Sequence, residues 1–325
     1  MKKIHKTALI GTGYWGSIIF NTLTKITKKK ILTFDINKGN SNLLKKKFKD
    51  QVILAKNMNE ILVNKNIKNI ILATHPSINF ELGKKILNNQ KNLFIEKPIV
   101  TDVKKLSKLI NISKINNKVL MGGYIYLFNS YIEKIKKILK NKELGSIKYI
   151  EIQRKNLGPI RNEVDSHLDL GSHDLSILKF LFNKDLKIKY IVKRNILKKN
   201  ISDITSINLV IGKINCEIIS SWLNPTKDRK MIIIGSKKML LFDEMDQENK
   251  LKIFNKYAYY PKITKFKKNY MSNKARIYTG KTKNINVKES DTLKKELMHF
   301  EYVSKKKKKA ITSGEFCLEI LKLVS

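Results

Sequence analysis

Three side chains in this 325-residue chain have the chemistry of a site that moves protons and hydride: Lys97, Asp169 and His173. Lys97 closes the apolar run "FIEKP", just before Pro98, which fixes the backbone and removes a donor. An ammonium there can hydrogen-bond a substrate hydroxyl and stabilise an alkoxide as hydride leaves. A solvated strand-end lysine fits the same pattern. Asp169 and His173 stand four residues apart in "HLDLGSHDLSIL", so on a helix or its first turn they share a face. Histidine suits the exchange of a hydroxyl proton near neutral pH. A carboxylate can hold the imidazole tautomer or the substrate. The structural alternative is that Asp169 caps a helix and His173 is satisfied at its start.

Such chemistry needs a hydride partner, and the stretch "ALIGTGYWGSIIF" offers a place for one. Gly11-Thr12-Gly13-Tyr14-Trp15-Gly16 fits G-x-G-x-x-G, follows an apolar strand-like run and opens a helical pattern. Gly11 permits the tight turn, Gly13 lets backbone approach a pyrophosphate, and Gly16 lets helix and strand pack closely. The free N–H groups of the helix start would face the phosphates. Asp35 stands 19 residues after Gly16, at the end of the next strand. Its carboxylate would accept from ribose hydroxyls and repel a 2′-phosphate, which favours NAD over NADP. Lys38 softens that preference. "ILATHPS" ends a further strand, which puts Thr74, His75 and Pro76 at the cofactor border, His75 in a backbone-positioning role. No metal site is expected: the five histidines (His5, His75, His167, His173 and His299) are dispersed, and a zinc site at His173 lacks a third ligand nearby.

These residues hang on two kinds of scaffold. Through "KVLMGG" the chain alternates short apolar strands with helical patterns, which implies a doubly wound parallel sheet with helices on both faces. A helix, "NSYIEKIKKILKN", follows. From Ser146 on come longer strand-like segments: "SIKYIEIQRKN", "KIKYIVKRNIL", "TSINLVIGKINCEIISSWL", "RKMIIIGSKKMLLFDE" and "NKLKIFN". A helix begins near Asp169, the stretch from Tyr257 to Asn286 is the least regular, and two helices end the chain. The expected fold class is α/β: a nucleotide-binding domain over 1–122, and over 123–325 an α/β substrate and oligomerisation domain with an open, mostly antiparallel sheet.

Composition limits the function classes. No apolar run approaches the roughly 18 to 20 residues of a membrane span, and the apolar "ALI" near the N-terminus is too short for a signal peptide, so a cytoplasmic protein is expected. Cys216 and Cys317 form no metal-like spacing and read as small buried apolar residues. The net charge of +40 by itself suggests nucleic acid. Yet only five of the 67 basic residues are arginine: Arg154, Arg161, Arg194, Arg229 and Arg276. Lysine, isoleucine and asparagine, all abundant here, share AT-rich codons, so genome composition, more than function, is the expected source of the charge. With few arginines and no aromatic-basic module, no nucleic-acid partner is expected. The run Lys305–Lys309 reads as a solvated connection.

Taken together, the glycine loop, "EKP" and Asp-x-x-x-His resemble, in order and spacing, the glucose–fructose oxidoreductase, inositol dehydrogenase and MocA family (Gfo/Idh/MocA), over essentially the whole chain. The resemblance implies a Rossmann domain plus an open-sheet domain, and hydride transfer between NAD(P) and a sugar or cyclitol carbon. It makes Lys97 the catalytic lysine, His173 the proton acceptor and donor, and Asp169 the partner that orients substrate or histidine. It also puts Glu96 and Lys97 at the nicotinamide end. "YWG" together with "NLGPIRNEVDSHLDLGSHDLSIL" resembles the branch found with nucleotide-sugar and surface-polysaccharide synthesis. That implies a UDP-type sugar substrate, with Asn156, Arg161 and Asn162 near it and Arg161 paired with a phosphate or carboxylate. The alternatives are a free sugar or cyclitol substrate, or a catalytically silent cofactor-binding scaffold. A homodimer or homotetramer is expected. The chain departs from the family pattern at Tyr124, at His75 and Asn79, and at Gly171-Ser172.

Overall fold

A computed structural model describes residues 4–161, 164–260 and 274–325. The chain forms two compact units, Met1–Phe128 with Ser290–Ser325, and Asn129–Glu289.

The first unit is built on six parallel strands in the order β3-β2-β1-β4-β5-β6. They are β1 (Thr7–Ile10), β2 (Ile31–Phe34), β3 (Val52–Leu54), β4 (Asn69–Leu72), β5 (Asn92–Glu96) and β6 (Leu120–Gly123). This is the doubly wound order, with its switch point between β1 and β4. β1 and β4 are buried along their whole length, as strands covered on both faces must be. Five helices connect the strands: α1 (Tyr14–Ile26), α2 (Lys38–Phe48), α3 (Met58–Val63), α4 (Pro76–Asn88) and α5 (Val103–Ile115). Their starts are legible locally. Asn37, Asn57 and Asp102 each accept the N–H three residues on, and Pro76 opens α4. The alternation read from sequence is present, with one pair added. α2 and β3 carry too little apolar signal to be foreseen: α2 is lysine-rich and buries only Ser41 and Leu44.

The boundaries of the expected domains need correction. After α6 (Ser130–Lys140) and the second sheet, the chain returns to the first unit as α8 (Thr292–Lys306) and α9 (Gly314–Val324). Thr312 donates through Oγ1 to the Gly122 carbonyl at 2.7 Å, and the Gly122 N–H donates back to the Thr312 carbonyl at 2.9 Å. Phe300 packs on Phe94 with ring centroids 5.7 Å apart. Burial of the apolar faces of α8 and α9 on this sheet overrides sequence order, so the second unit ends at Glu289 rather than Ser325.

The second unit has an eight-stranded sheet in the order β14-β13-β12-β11-β7-β10-β9-β8. Its strands are β7 (Ile147–Leu157), β8 (Leu186–Arg194), β9 (Ile204–Ile211), β10 (Ile214–Ser221), β11 (Leu223–Gly235), β12 (Met239–Asp243), β13 (Leu251–Tyr259) and β14 (Arg276–Asn284). All neighbours are antiparallel except β7 and β10. Helix α7 (Ser172–Phe182) lies on the face that carries Arg154. Within the segment from Tyr257 to Asn286, expected to be the least regular, residues 261–273 lie outside the described residues and β14 is regular. It is a strand exposed along nearly its whole length, so no inward–outward alternation marks it in sequence.

Candidate active site

The glycine loop is shaped by its own packing. Gly11 has φ +89°, and a Cβ there would lie 2.4 Å from the Ala73 carbonyl oxygen. A Cβ on Gly16 would lie 2.1 Å from the Gly11 carbonyl oxygen, so neither position admits a side chain. Gly13 differs: a Cβ there meets nothing nearer than Asn40 Nδ2 at 3.9 Å. The protein's own packing does not require glycine at 13, and the space above it remains free for a ligand's close approach. Gly13 is the N-cap of α1 and supplies no side-chain acceptor to the first turn. Together these features fit a pyrophosphate cradled by backbone N–H groups.

Asp35, at the end of β2, is tied into this loop. Its Oδ2 accepts from the Thr12 backbone N–H at 2.7 Å and from Thr12 Oγ1 at 3.0 Å, and Asn40 Nδ2 stands at 3.4 Å. Oδ1 accepts from the Asn37 N–H at 2.8 Å. The carboxylate thus holds the loop as well as presenting an acceptor beside it. At the end of β4, Thr74 donates to Asn79 Oδ1 at 2.6 Å, and buried Asn79 donates to the Ile99 carbonyl at 3.0 Å. His75 is the N-cap of α4, its ring Nδ1 accepting from the Ser77 N–H at 3.4 Å.

Glu96 ends β5 and Lys97 follows it. The Glu96 carboxyl accepts from the Trp15 side chain and from the Lys97 backbone N–H. Burial pushes it up to about 7, against the downward pull of the Trp15 hydrogen bond and the Lys97 charge. Trp15 therefore joins the glycine loop directly to the segment that bears Lys97. Tyr14, beside it, is 85% exposed. Gly11, Asp35, Thr74, Glu96 and Lys97 all stand at the carboxyl ends of parallel strands, where a doubly wound sheet binds ligands.

In the second unit, Asp169 sits in a π-helical turn, His167–Gly171, that runs into α7. Such turns cost hydrogen-bond geometry and recur at functional sites. Asp169 does not cap α7, since the N-cap is Gly171 and no side chain accepts there. Its Oδ2 accepts from Trp222 Nε1 at 3.3 Å and stands 3.5 Å from Arg161 Nε. His173 is half-buried in the first turn of α7. Next to it, Asp174 takes a bidentate grip from Arg154 at 2.7 and 2.9 Å, both residues buried. This pair fixes the start of α7, and with it His173, to strand β7. Asn156 donates to the Gly158 carbonyl near the end of β7. Asn162 lies outside the described residues. Among the described residues, no group of three His, Cys, Asp or Glu side chains is placed to hold a metal.

Trp222 and the Arg154–Asp174 pair were not singled out from sequence. Trp222 is fully buried within a strand-rich run, and nothing local announces that its N–H meets a carboxylate 53 residues earlier.

Residues 5–124 match the family profile described as oxidoreductase family, NAD-binding Rossmann fold. An uncharacterised oxidoreductase of Streptococcus pneumoniae is 24% identical over 185 residues, covering 54% of this chain and 50% of that protein. The chain thus spans about half the length of this curated relative. Among solved structures, UDP-N-acetylglucosamine 3-dehydrogenase from Acidithiobacillus ferrooxidans is similar with a TM-score of 0.79 at 17% identity, covering 99% of this chain and 96% of that one. Aldose-aldose oxidoreductase from Caulobacter crescentus also gives a TM-score of 0.79, at 13% identity, with the same coverage of 99% and 96%. At these identities the likeness establishes the fold.

Proposed function

We propose that the protein, whose residues 5–124 match the profile of an oxidoreductase family with an NAD-binding Rossmann fold, moves a hydride between NAD and a ring carbon of a nucleotide-linked sugar. The observation that carries the reading is the free space above Gly13, flanked by the uncapped start of α1 and by Asp35. The nicotinamide, when bound, supplies the hydride acceptor or donor. Every other task falls to side chains. Gly11, Thr12, Gly13, Tyr14, Trp15 and Gly16 cradle the phosphates, and Asp35 takes the adenosine ribose. Thr74, His75 and Glu96 border the cofactor. Lys97 donates to the reacting hydroxyl and stabilises negative charge on its oxygen. His173 takes the hydroxyl proton in one direction and returns it in the other. Asp169, held by Trp222 and Arg161, orients substrate or imidazole. Asn156, Arg161 and Asn162 contact the substrate, and the half-exposed Arg161 guanidinium suits an anionic group such as a diphosphate.

Self-association is part of the same reading. The face of the large sheet opposite α7 presents Ile232, Ile234, Leu241 and Phe254 half-buried, and a homodimer or homotetramer would cover them. Light scattering at micromolar protein tests it, and a monomer overturns it.

Fluorescence titration with NADH and NADPH, followed by turnover on a panel of UDP-sugars with NAD, tests the activity. Lys97→Ala and His173→Ala should each lower kcat by about 100-fold or more while NADH affinity stays within about threefold. Absence of nicotinamide binding overturns the dehydrogenase reading. Binding with turnover only on free sugars or cyclitols overturns the nucleotide-sugar assignment. Binding without any turnover points to a scaffold.

A further inference from the structure

Helix α8 carries a second carboxyl toward Glu96: Phe300 packs on Phe94 with ring centroids 5.7 Å apart, Glu296 lies one turn before Phe300 on α8, and Glu96 lies two residues after Phe94 on β5. Glu296 has no exposed surface, and both of its carboxyl oxygens lack a hydrogen-bond partner among the described residues. Its neighbours along the helix face are Leu293, Leu297 and Phe300, all buried. An ionised carboxylate enclosed in this way, beside another carboxyl, pays full desolvation plus like-charge repulsion. Burial first, and then the Glu96 charge, push Glu296 well above the usual carboxylate range. Glu296 is therefore a neutral acid at neutral pH and has an O–H to give. Glu96 is the acceptor at hand. Its carboxyl lies against Gly123, where a Cβ would stand 2.7 Å from Oε2, so β6 leaves room for it only because residue 123 is glycine.

We propose that Glu96 and Glu296 form an acid pair that shares one proton beside the glycine loop, with Glu296 the positioning residue. Glu296 stays protonated and turns its proton toward the Glu96 carboxylate through one bridging water. That holds the Glu96 carboxylate on the Trp15 side-chain N–H and the Lys97 backbone N–H. The pair thus couples the loop that cradles phosphate to the strand end that carries Lys97. Around pH 7 it changes from two protons to one, and Glu96 gains the charge that Trp15 and Lys97 face. The titratable groups around the pair are few. Lys97 follows Glu96 on the strand. Cys317 of α9 is pushed up by burial, with the Glu315 charge adding to it, and Tyr124 is pushed well up by burial, so both stay neutral through this range. His299, farther along α8, accepts the Ile311 N–H and packs on Phe128.

The pair stands on the geometry of the first unit alone; only its consequence for turnover rests on the hydride-transfer reading. Both tests use the full chain without cofactor, so a failure here is distinct from a failure to bind NADH. In infrared spectra at pH 8, solvent-facing carboxyls are ionised and a protonated carboxyl band should remain. It should vanish in Glu296→Gln, which keeps the shape and an N–H donor. Absence of the band in the parent protein, or its survival in Glu296→Gln, overturns the proposal. The pH-dependent emission that Trp15→Phe removes should titrate with a midpoint near 7. Glu96→Gln should abolish that transition. Glu296→Met should raise the midpoint by about one pH unit or more, the loss of one hydrogen bond to a charged group, and Glu296→Gln should restore it. A transition that persists in Glu96→Gln, or a midpoint that does not move in folded Glu296→Met, overturns the proposal.

Discussion

Asp35 has two functions at the residue scale, and a single substitution should expose both. It accepts two hydrogen bonds from Thr12, and in the proposed function it also takes the ribose hydroxyls. Asp35→Ala removes charge-assisted hydrogen bonds of about 1.5–3 kcal/mol each. NADH dissociation should rise about tenfold to 100-fold, and NADPH binding should suffer less, because a carboxylate that repels the 2′-phosphate is gone. Paired fluorescence titrations measure this, and an unchanged preference would contradict the ribose assignment. Glu96 makes a pH prediction whose sign follows from its position. Its folded value of about 7 lies above the ordinary 4.5. Below 4.5 both states hold the proton and the group contributes nothing to pH dependence. Between 4.5 and about 7 the unfolded chain releases it while the folded chain keeps it, so stability falls as pH rises through that window and then levels off. Urea unfolding of the parent against Glu96→Gln at pH 5 and pH 7.5 isolates the effect. The parent should lose stability relative to the variant at the higher pH.

Among the elements, α7 is tied to its sheet by a buried ion pair. Arg154 and Asp174 are both out of solvent, and their bidentate pair joins β7 to the first turn of the helix. Arg154→Met strips the buried Asp174 carboxylate of its Arg154 hydrogen bonds and leaves it only the Arg229 charge, and should cost about 3 kcal/mol of second-unit stability. Chemical unfolding checks that figure. If the variant still folds, kcat should fall further than KM rises, because His173 starts from the same turn. Cap residues mark most helix starts in sequence, as Asn37, Asn57, Asp102, Asn129, Asp291 and Ser313 do. The lysine run shows the limit of such reading. The run Lys305–Lys309 reads from sequence as a solvated connection, and its first two lysines belong to α8, which ends on Lys307 with φ 50°. Lysines in a last turn complement the helix dipole, so they extend the helix they were expected to follow.

Across the whole molecule, the last 36 residues, 290–325, complete the first unit rather than the second. A chain ending at residue 289 should leave β6, α5 and Phe94 uncovered and should not give a folded nucleotide-binding unit. Expression with amide exchange or proton NMR tests this. A soluble, dispersed spectrum with NADH binding would show the two helices to be dispensable. No helix among the described residues is long and apolar enough to cross a membrane. The +40 charge leaves its mark on the surface, where many lysines pair with the few acids, as Lys114 does with Glu315 at 3.0 Å. Such exposed pairs are worth less than about 1 kcal/mol and do not decide the fold.

What the sequence by itself determined was local. Period-two and period-3.6 apolar patterns, caps, and glycines at 11, 13 and 16 identify the parallel sheet, its loop and the strand ends that carry Asp35, Thr74 and Lys97. These features come from sterics and hydrogen bonds within a few residues, so a short window contains their cause. Tertiary structure alone decided what meets across distance. It joined Trp222 to Asp169, Arg154 to Asp174, and α8 and α9 to the first sheet, and it brought Glu296 within the field of Glu96. A glutamate on the apolar face of α8 does carry a sequence signal, an acid where Leu293, Leu297 and Phe300 set the stripe. What it does there depends on which carboxyl the folded chain places beside it, and that is settled by long-range packing that no local window contains.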